Sequence, residues 1–368
     1  MSVLAAIAVL AILILVHELG HFIAARSQGI YANRFSLGFG PILLKYQGSE
    51  TEYTIRAFPL GGFVGFPDDD PDSEIPPNDP NLLRNRPVLD RAIVISAGVI
   101  ANLIFAYLML ALQLGIVGIP QEFQYQAGVL VKPVNEQSVA YQAGIREGDI
   151  IIAVNGQEIP LGKDATTLLT KEIQTHPNQE IDLKIQHETQ QTNLKLTPKQ
   201  GADGKGVVGI ELGPNGKAIY RRPQDIVEII KVAANRFQQL VVGTFQGFGQ
   251  LITNFGQTVG QVSGPVKIVQ IGAQLAASDS TNLFSFAAII SINLAIINIL
   301  PLPALDGGQL AFLLIEGLFG KPLPNKIQEG VMQTGLVLLL GLGIFLIVKE
   351  TTQLTSQLEW VQQLFQKL

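Results

Sequence analysis

The run Val3-Leu-Ala-Ala-Ile-Ala-Val-Leu-Ala-Ile-Leu-Ile-Leu15 leads through Val16 into His17-Glu18-Leu19-Gly20-His21. Continued to Ala25, this stretch has the length, about 17–25 apolar residues, that a helix needs to cross a bilayer. Residues four apart share a helix face, so His17 and His21 present two imidazoles to one Zn²⁺, while Glu18, one step round, reaches a water beside the metal. An ionised carboxylate in hydrocarbon costs about 2.5–3.5 kcal/mol or more, so a segment serving only as an anchor would not carry these groups. The motif therefore predicts metal-dependent hydrolysis inside a membrane, with His17 and His21 as metal ligands and Glu18 as the catalytic residue.

The composition fits a membrane enzyme with one extramembrane domain. Of 368 residues, 47% are hydrophobic and only 15% charged, which leaves room for several spans and about one soluble insertion. The formal net charge of −5 gives no support for nucleic-acid binding. With no cysteine in the chain, disulfides, thiolate nucleophiles and Cys-ligated metals are excluded, so any zinc must use His and carboxylate ligands.

Four apolar runs qualify as spans: roughly Val3–Ala25, Ala92–Ile119, Leu283–Leu300 and Val331–Val348. Basic residues fix the expected orientation. Arg26, Arg34, Lys45, Arg56, Arg84, Arg86 and Arg91 lie in the first connection, and Lys321 and Lys326 in the third, which places both on the cytoplasmic side. The metal motif then falls in the cytoplasmic half of the first span. Within the first connection, Tyr31–Phe66 reads as short strands punctuated by glycine, ending in Leu60-Gly61-Gly62-Phe63-Val64, a small membrane-associated sheet near the active-site face. Pro67–Pro87, rich in Asp, Pro and Asn, reads as a mobile acidic linker without chemistry.

From Gln121 to Gln200 the polarity alternates as in a soluble mixed domain. The run Ser138 to Ile159, with Gly148-Asp149, the strand Ile150–Val154 and the turn Asn155-Gly156, resembles the PDZ pattern; Asn-Gly suits a type I′ turn, whose central residues both need positive φ. PDZ domains bind extended peptides by strand addition. From Asp225 to Ile252 apolar residues recur at helical spacing among Gln, Lys and Arg, which predicts an amphipathic helix on the membrane and not a fifth span.

A second motif ends the third apolar run: Asn293, Asn298, Pro301, Pro303, then Leu305-Asp306-Gly307-Gly308. Prolines release backbone hydrogen bonds and bend the chain, so Asp306 enters the membrane from the end of the span as a third metal ligand.

With both motifs in place, the chain resembles the site-2 protease family of intramembrane zinc metalloproteases, most closely the bacterial regulator of sigma-E protease type. The resemblance rests on His17-Glu18-Leu19-Gly20-His21, Leu60-Gly61-Gly62, Gly98-Val-Ile-Ala-Asn102, Ser263-Gly264-Pro265-Val266 and the segment from Asn298 to Gly307. One departure is a single PDZ domain where the better-known bacterial member has two. The resemblance implies a membrane α-helical bundle of about four transmembrane helices with a small membrane-associated β-sheet and an inserted α+β PDZ domain. The divisions are 1–25, the first transmembrane helix with the metal motif; 26–91, the β-rich loop and acidic linker; 92–119, the second helix; and 122–200, the PDZ domain. They continue with 201–282, the linker and amphipathic helix; 283–308, the third helix with the Asp306 motif; 331–349, the fourth; and 350–368, the tail.

The same resemblance implies a function: a zinc metalloendopeptidase that cleaves transmembrane segments in regulated intramembrane proteolysis, with Zn²⁺ on His17, His21 and Asp306 and Glu18 as general base. Asn298, Asn293, Gly61 and Gly62 become substrate-binding residues. The expected substrate is a single-pass membrane protein, such as an anti-sigma-factor-like protein or a signal-peptide remnant, already trimmed by a first protease, and the other partner is the lipid bilayer. The expected location is a bacterial plasma membrane, or a thylakoid or plastid membrane. Two rival classes are a metal or proton transporter and a non-catalytic adaptor. The first has no need of a PDZ domain, and the second no reason to keep Glu18, which is not a ligand.

Overall fold

The computed structural model describes residues 1–70, 73–134, 138–188, 190–201, 204–254 and 263–355. Asp72 of the acidic stretch, 255–262 and the expected tail after residue 355 lie outside these. The chain forms two compact units, one from Met1–Val117 with Pro223–Leu368 and one from Gly118–Arg222.

The first unit begins with α1 (Ser2–Ser27), whose apolar residues surround the whole circumference, as a bilayer-embedded helix requires. Two long strands follow, β1 (Arg34–Gln47) and β2 (Glu52–Gly65). Each is bent at glycine: Gly38, Gly40 and Gly61 hold φ of +88°, +86° and +111°, a region that side chains with a Cβ rarely adopt. The bends let the two strands pair three ways. Ile42↔Arg56 to Gln47↔Glu52 run antiparallel, Arg34↔Glu52 to Leu37↔Ile55 parallel, and Leu37↔Gly62 to Arg34↔Gly65 antiparallel. The four segments therefore lie side by side in the order 42–47, 52–56, 34–37 and 62–65. The acidic stretch, expected to be mobile, is tied down where it is described. The Asp68 carboxylate accepts from the N–H groups of Leu83 and Arg84 at 3.1 and 2.9 Å, and Arg86 Nη2 donates to Gln28 O at 2.6 Å.

Next comes α2 (Val88–Val117), packed along α1. Its small residues permit close approach: a Cβ on Gly20 would lie 2.5 Å from Ala97 O and 2.8 Å from Ala101 Cβ.

The second unit is a mixed α+β body. Its sheet runs β10–β3–β4–β6–β7, from β3 (Ile119–Val134), β4 (Ile150–Val154), β6 (Ile181–His187), β7 (Gln190–Leu196) and β10 (Ile210–Arg221), with β5 (Gln157–Glu158) on β4. Beside it are β8 (Lys199–Gln200), β9 (Gly206–Val207), α3 (Val139–Gln142) and α4 (Ala165–Thr175). Alternate residues of β6, Ile181, Leu183 and Ile185, turn inward onto Leu169 and Ile173 of α4. Burying each such side chain stabilises by about 1.5–3 kcal/mol. Asn155 and Gly156 have φ of +49° and +78°, the positive pair that a type I′ turn needs. The expected boundary 122–200 leaves out β10, which pairs with β3 through Arg221↔Ile119.

The chain returns to the first unit in α5 (Ile226–Thr253), where Asp225 accepts from Glu228 N at 2.7 Å as the N-cap. Tyr107 of α2 donates to Ile230 O at 3.0 Å, which fixes α5 against α2. A helix not expected from the sequence, α6 (Pro265–Ser278), starts with proline at its first turn. Its N-terminal N–H groups, which have no partner within the helix, are met by buried Glu350, which accepts from Gly264 N at 2.6 Å and Lys267 N at 3.2 Å.

The third apolar run forms α7 (Asn282–Ile299), joined to α2 by hydrogen bonds from Ser285 Oγ to Gln113 Oε1 and Ser291 Oγ to Asn102 O, at 2.6 and 2.8 Å. The expected helix 283–308 is corrected here: it stops at Ile299, and Asp306 opens a separate helix, α8 (Asp306–Phe319), after the turn through Pro301 and Pro303. The last helix is α9 (Asn325–Thr355). Among the described residues α1, α2, α7 and Lys326–Thr352 of α9 are long and apolar enough to cross a membrane.

Candidate metal centre

Helical spacing places His17 and His21 on the α1 face turned toward α2 and α8, and the two imidazoles meet Asp306 there. Their Nε2 atoms are 3.2 Å apart, and Asp306 Oδ2 lies 3.2 Å from His17 Nε2 and 3.5 Å from His21 Nε2. A tetrahedral ion with bonds of about 2.0–2.1 Å separates its ligands by about 3.3–3.4 Å, so this triangle has the edge length of a zinc site.

The hydrogen bonds behind the triangle decide which atoms carry protons. His21 Nδ1 lies 2.8 Å from Val94 O, an acceptor only, so Nδ1 holds the proton and Nε2 presents its lone pair. His17 Nδ1 lies 3.4 Å from the Asn102 amide, whose Oδ1 is buried with no other partner. Turning that amide places Oδ1 against Nδ1–H and satisfies both groups, leaving the lone pair on His17 Nε2, which lies 3.2 Å from Asn298 Nδ2. Asp306 Oδ2 is likewise buried without a hydrogen bond. Three lone-pair donors, none carrying a proton of its own, converge in an arrangement that repels itself unless a cation lies between. The residues present thus fit a divalent zinc ion.

Close approach explains the glycines around the triangle. A Cβ on Gly98 of α2 would sit 2.7 Å from Cε1 of both His17 and His21. One on Gly307 would sit 2.5 Å from the Ile299 carbonyl carbon, so the chain can start α8 against the end of α7 only with glycine after Asp306. The carboxylate stands in the first turn of α8, where the helix dipole favours negative charge.

Glu18 points to the sheet. Val64 N–H donates to its carboxylate, and a Cβ on Gly62 would lie 2.9 Å from Glu18 Cγ, so the 62–65 segment packs directly on this side chain. Gly62, Phe63 and Val64 line one wall of a cleft of about 710 Å³ that holds His17, Glu18, His21 and Asp306 and continues to Arg91 and Glu316. There Arg91 and Glu316 form a bidentate pair through Nη1–Oε2, at 3.0 Å, and Nη2–Oε1.

The other expected site residues separate into two groups. Asn298 Nδ2 lies 3.2 Å from His17 Nε2 and meets the triangle there. Asn293 is half-buried on α7, and no hydrogen bond joins it to the triad. Gly62 belongs to the cleft wall, whereas Gly61 faces the Phe39 ring and acts as the bend before it. Asn102 is the residue whose role the sequence hid, since an apolar helix offers no periodic signal for one buried amide.

Peptidase family M50 matches residues 5–342, which contain the whole triangle. The chain belongs to this family. The relatives that follow match 92–100% of the chain. A protein of Nostoc sp. (strain PCC 7120) that bears a zinc metalloprotease name, all3971, is 65% identical over 100% of both chains. Membrane metalloprotease ARASP, chloroplastic, of Arabidopsis thaliana is 47% identical over 96% of this chain and 79% of its own. Regulator of sigma-W protease RasP of Bacillus subtilis is 27% identical over 92% and 95%. Among solved structures, the PDZ domain of an SdrC-like protein from Listeria monocytogenes matches 24% of this chain and 90% of its own, at 16% identity and a TM-score of 0.22. This M50 member is a zinc metalloprotease.

Proposed function

We propose that this enzyme is an intramembrane zinc endopeptidase that cleaves transmembrane segments of other membrane proteins. The observation that carries the reading is the proton-free triangle of His17 Nε2, His21 Nε2 and Asp306 Oδ2, set among apolar helices beside a carboxylate that is not part of it. Bound there, zinc supplies a Lewis acid that polarises the scissile carbonyl and makes water a nucleophile near neutral pH. Glu18 accepts the proton of the attacking water and delivers it to the leaving amine. Val64 N–H holds the Glu18 carboxylate in place for both transfers. Asn298, whose Nδ2 lies 3.2 Å from His17 Nε2, donates to the substrate backbone.

A helical peptide bond is shielded by its own hydrogen bonds, so the substrate must be extended at the cut. The 62–65 segment has one edge paired with 34–37, and its other edge offers an extended partner a place to add as a strand beside Glu18. The sigma-W regulator name of the Bacillus relative supports a single-pass protein of the anti-sigma-factor kind as substrate, and the chloroplastic relatives support a bacterial or plastid membrane as the location. The Gly118–Arg222 unit, read as a PDZ domain from its Gly-Asp and Asn-Gly turns, screens substrates for prior trimming or holds a trimmed terminus.

Protein purified in detergent should carry about one zinc per chain, lost on His17→Ala, His21→Ala or Asp306→Ala, because two remaining ligands cannot hold the ion against a chelator. Zinc content unchanged in all three variants would dismiss this ligand set. Orientation has its own test in a chain free of cysteine. A single cysteine at Asn78 should react with a membrane-impermeant reagent only after the cells are opened, and one at Lys163 should react from outside. The opposite pattern would invert the topology and move the active site to the other half of the membrane.

A further inference from the structure

The fourth span is the apolar helix with the least cover. Val337, Leu338, Leu340 and Phe345 are more than half exposed, and Gly341 and Gly343 meet nothing within 4 Å. Apart from Glu350 against α6, the helix is packed tightly beside the metal site. A Cβ on Gly335 would lie 2.7 Å from the carbonyl carbon of Pro303 and 2.8 Å from its oxygen. One turn earlier, Met332 Sδ accepts a hydrogen bond from Ala304 N at 3.3 Å. Both contacts fall on the short turn between α7 and α8, two and three residues before Asp306.

Ala304 also holds φ of +69°, a left-handed conformation that a residue with a Cβ keeps only when its surroundings impose it. The turn is clamped from two sides. On one side Gly307 and Gly308 press against the backbone of Ile299 to Leu302, and on the other stand Gly335 and Met332. Removing the second side frees Ala304 to relax toward an ordinary backbone region, and Asp306, two residues on, moves with it. We propose that Gly335 and Met332 of the fourth span are positioning residues for the metal site, holding Asp306 at ligand distance through Pro303 and Ala304. The inference rests on Asp306 being a zinc ligand.

Zinc retention of the full-length protein in detergent, titrated with a chelator, tests it. Gly335→Ala should weaken the apparent zinc affinity by about tenfold or more, the scale on which groups supporting a ligand act. Met332→Leu, which keeps the volume and removes the sulfur acceptor, should weaken it by a smaller factor. Gly341→Ala, on the same helix with open space around it, should bind zinc as the parent does. Should Gly335→Ala fail to fold, Met332→Leu decides alone. Parental affinity in the folded variants, with Asp306→Ala losing its zinc, overturns the positioning role and leaves the ligand set standing. Retention of zinc by Asp306→Ala overturns the ligand set, and the inference with it.

Discussion

Glu18→Gln is expected to keep its full complement of zinc while cleavage of a transmembrane peptide falls by about 10²–10⁴-fold, the range that a positioned general base supplies. The amide occupies the space of the carboxylate, so the fit against Gly62 remains. Its acceptor oxygen still takes the Val64 N–H, but an amide does not accept the proton of the attacking water. Because Glu18 lies outside the Nε2–Nε2–Oδ2 triangle, metal content should not follow activity. Separate assays of zinc and turnover therefore distinguish this enzyme from a transporter or an adaptor on the same scaffold. Turnover near the parent level in a zinc-loaded Glu18→Gln variant would refute the assigned base.

The elements legible in the sequence are those with a local signal. His17 and His21 are four apart on a helix, so one face is dictated by spacing alone, and the apolar runs announce the four helices long and apolar enough to cross a membrane. The glycines in 35–64 mark bends of the backbone, and the strands expected between them are the segments that pair in the folded sheet. Asp306 could be singled out because a carboxylate ending an apolar run is costly unless it has a partner.

What escaped had a signal pointing elsewhere. The helix α8 begins Asp306-Gly307-Gly308, and two glycines argue against helix by about 1 kcal/mol each, although contact with the carbonyls of Ile299, Leu300 and Leu302 demands them. In β10 the segment Gly213-Pro214-Asn215-Gly216 reads as a turn; in the fold it is a register shift within the β3 ladder, with Gly216 at φ +149°. Pro265 signals a helix start, yet what anchors α6 is Glu350, more than eighty residues away. The supporting groups of the metal site, Asn102, Val94 O and Val64 N–H, come from other elements, two of them through the backbone, where the side chain says nothing.

Gly98→Ala isolates one such hidden constraint and should abolish stable zinc binding. Ordinary carbon contacts begin near 3.4 Å, and the added methyl would stand 2.7 Å from Cε1 of both imidazoles and closer still to His21 Nε2. Relief requires a shift of more than about 0.7 Å, several times the ~0.2 Å within which metal–ligand distances are held. Neither side can give way cheaply. His21 is fixed by Nδ1–H to Val94 O on the same helix that carries Gly98, and α1 cannot withdraw without opening the Gly20 contact with Ala97 and Ala101. Helix propensity runs the other way, since alanine is favoured over glycine by about 1 kcal/mol in a helix interior. The companion variant Gly115→Ala on α2 meets only Ile229 Cδ1 at 3.8 Å, so it should match or exceed parental stability and keep its zinc. A fall in zinc content confined to Gly98→Ala, with helical content and thermal stability preserved in both, is the expected result. Parental zinc affinity in a folded Gly98→Ala variant would mean that the two imidazoles do not face α2 at this distance, and the metal centre would have to be redrawn.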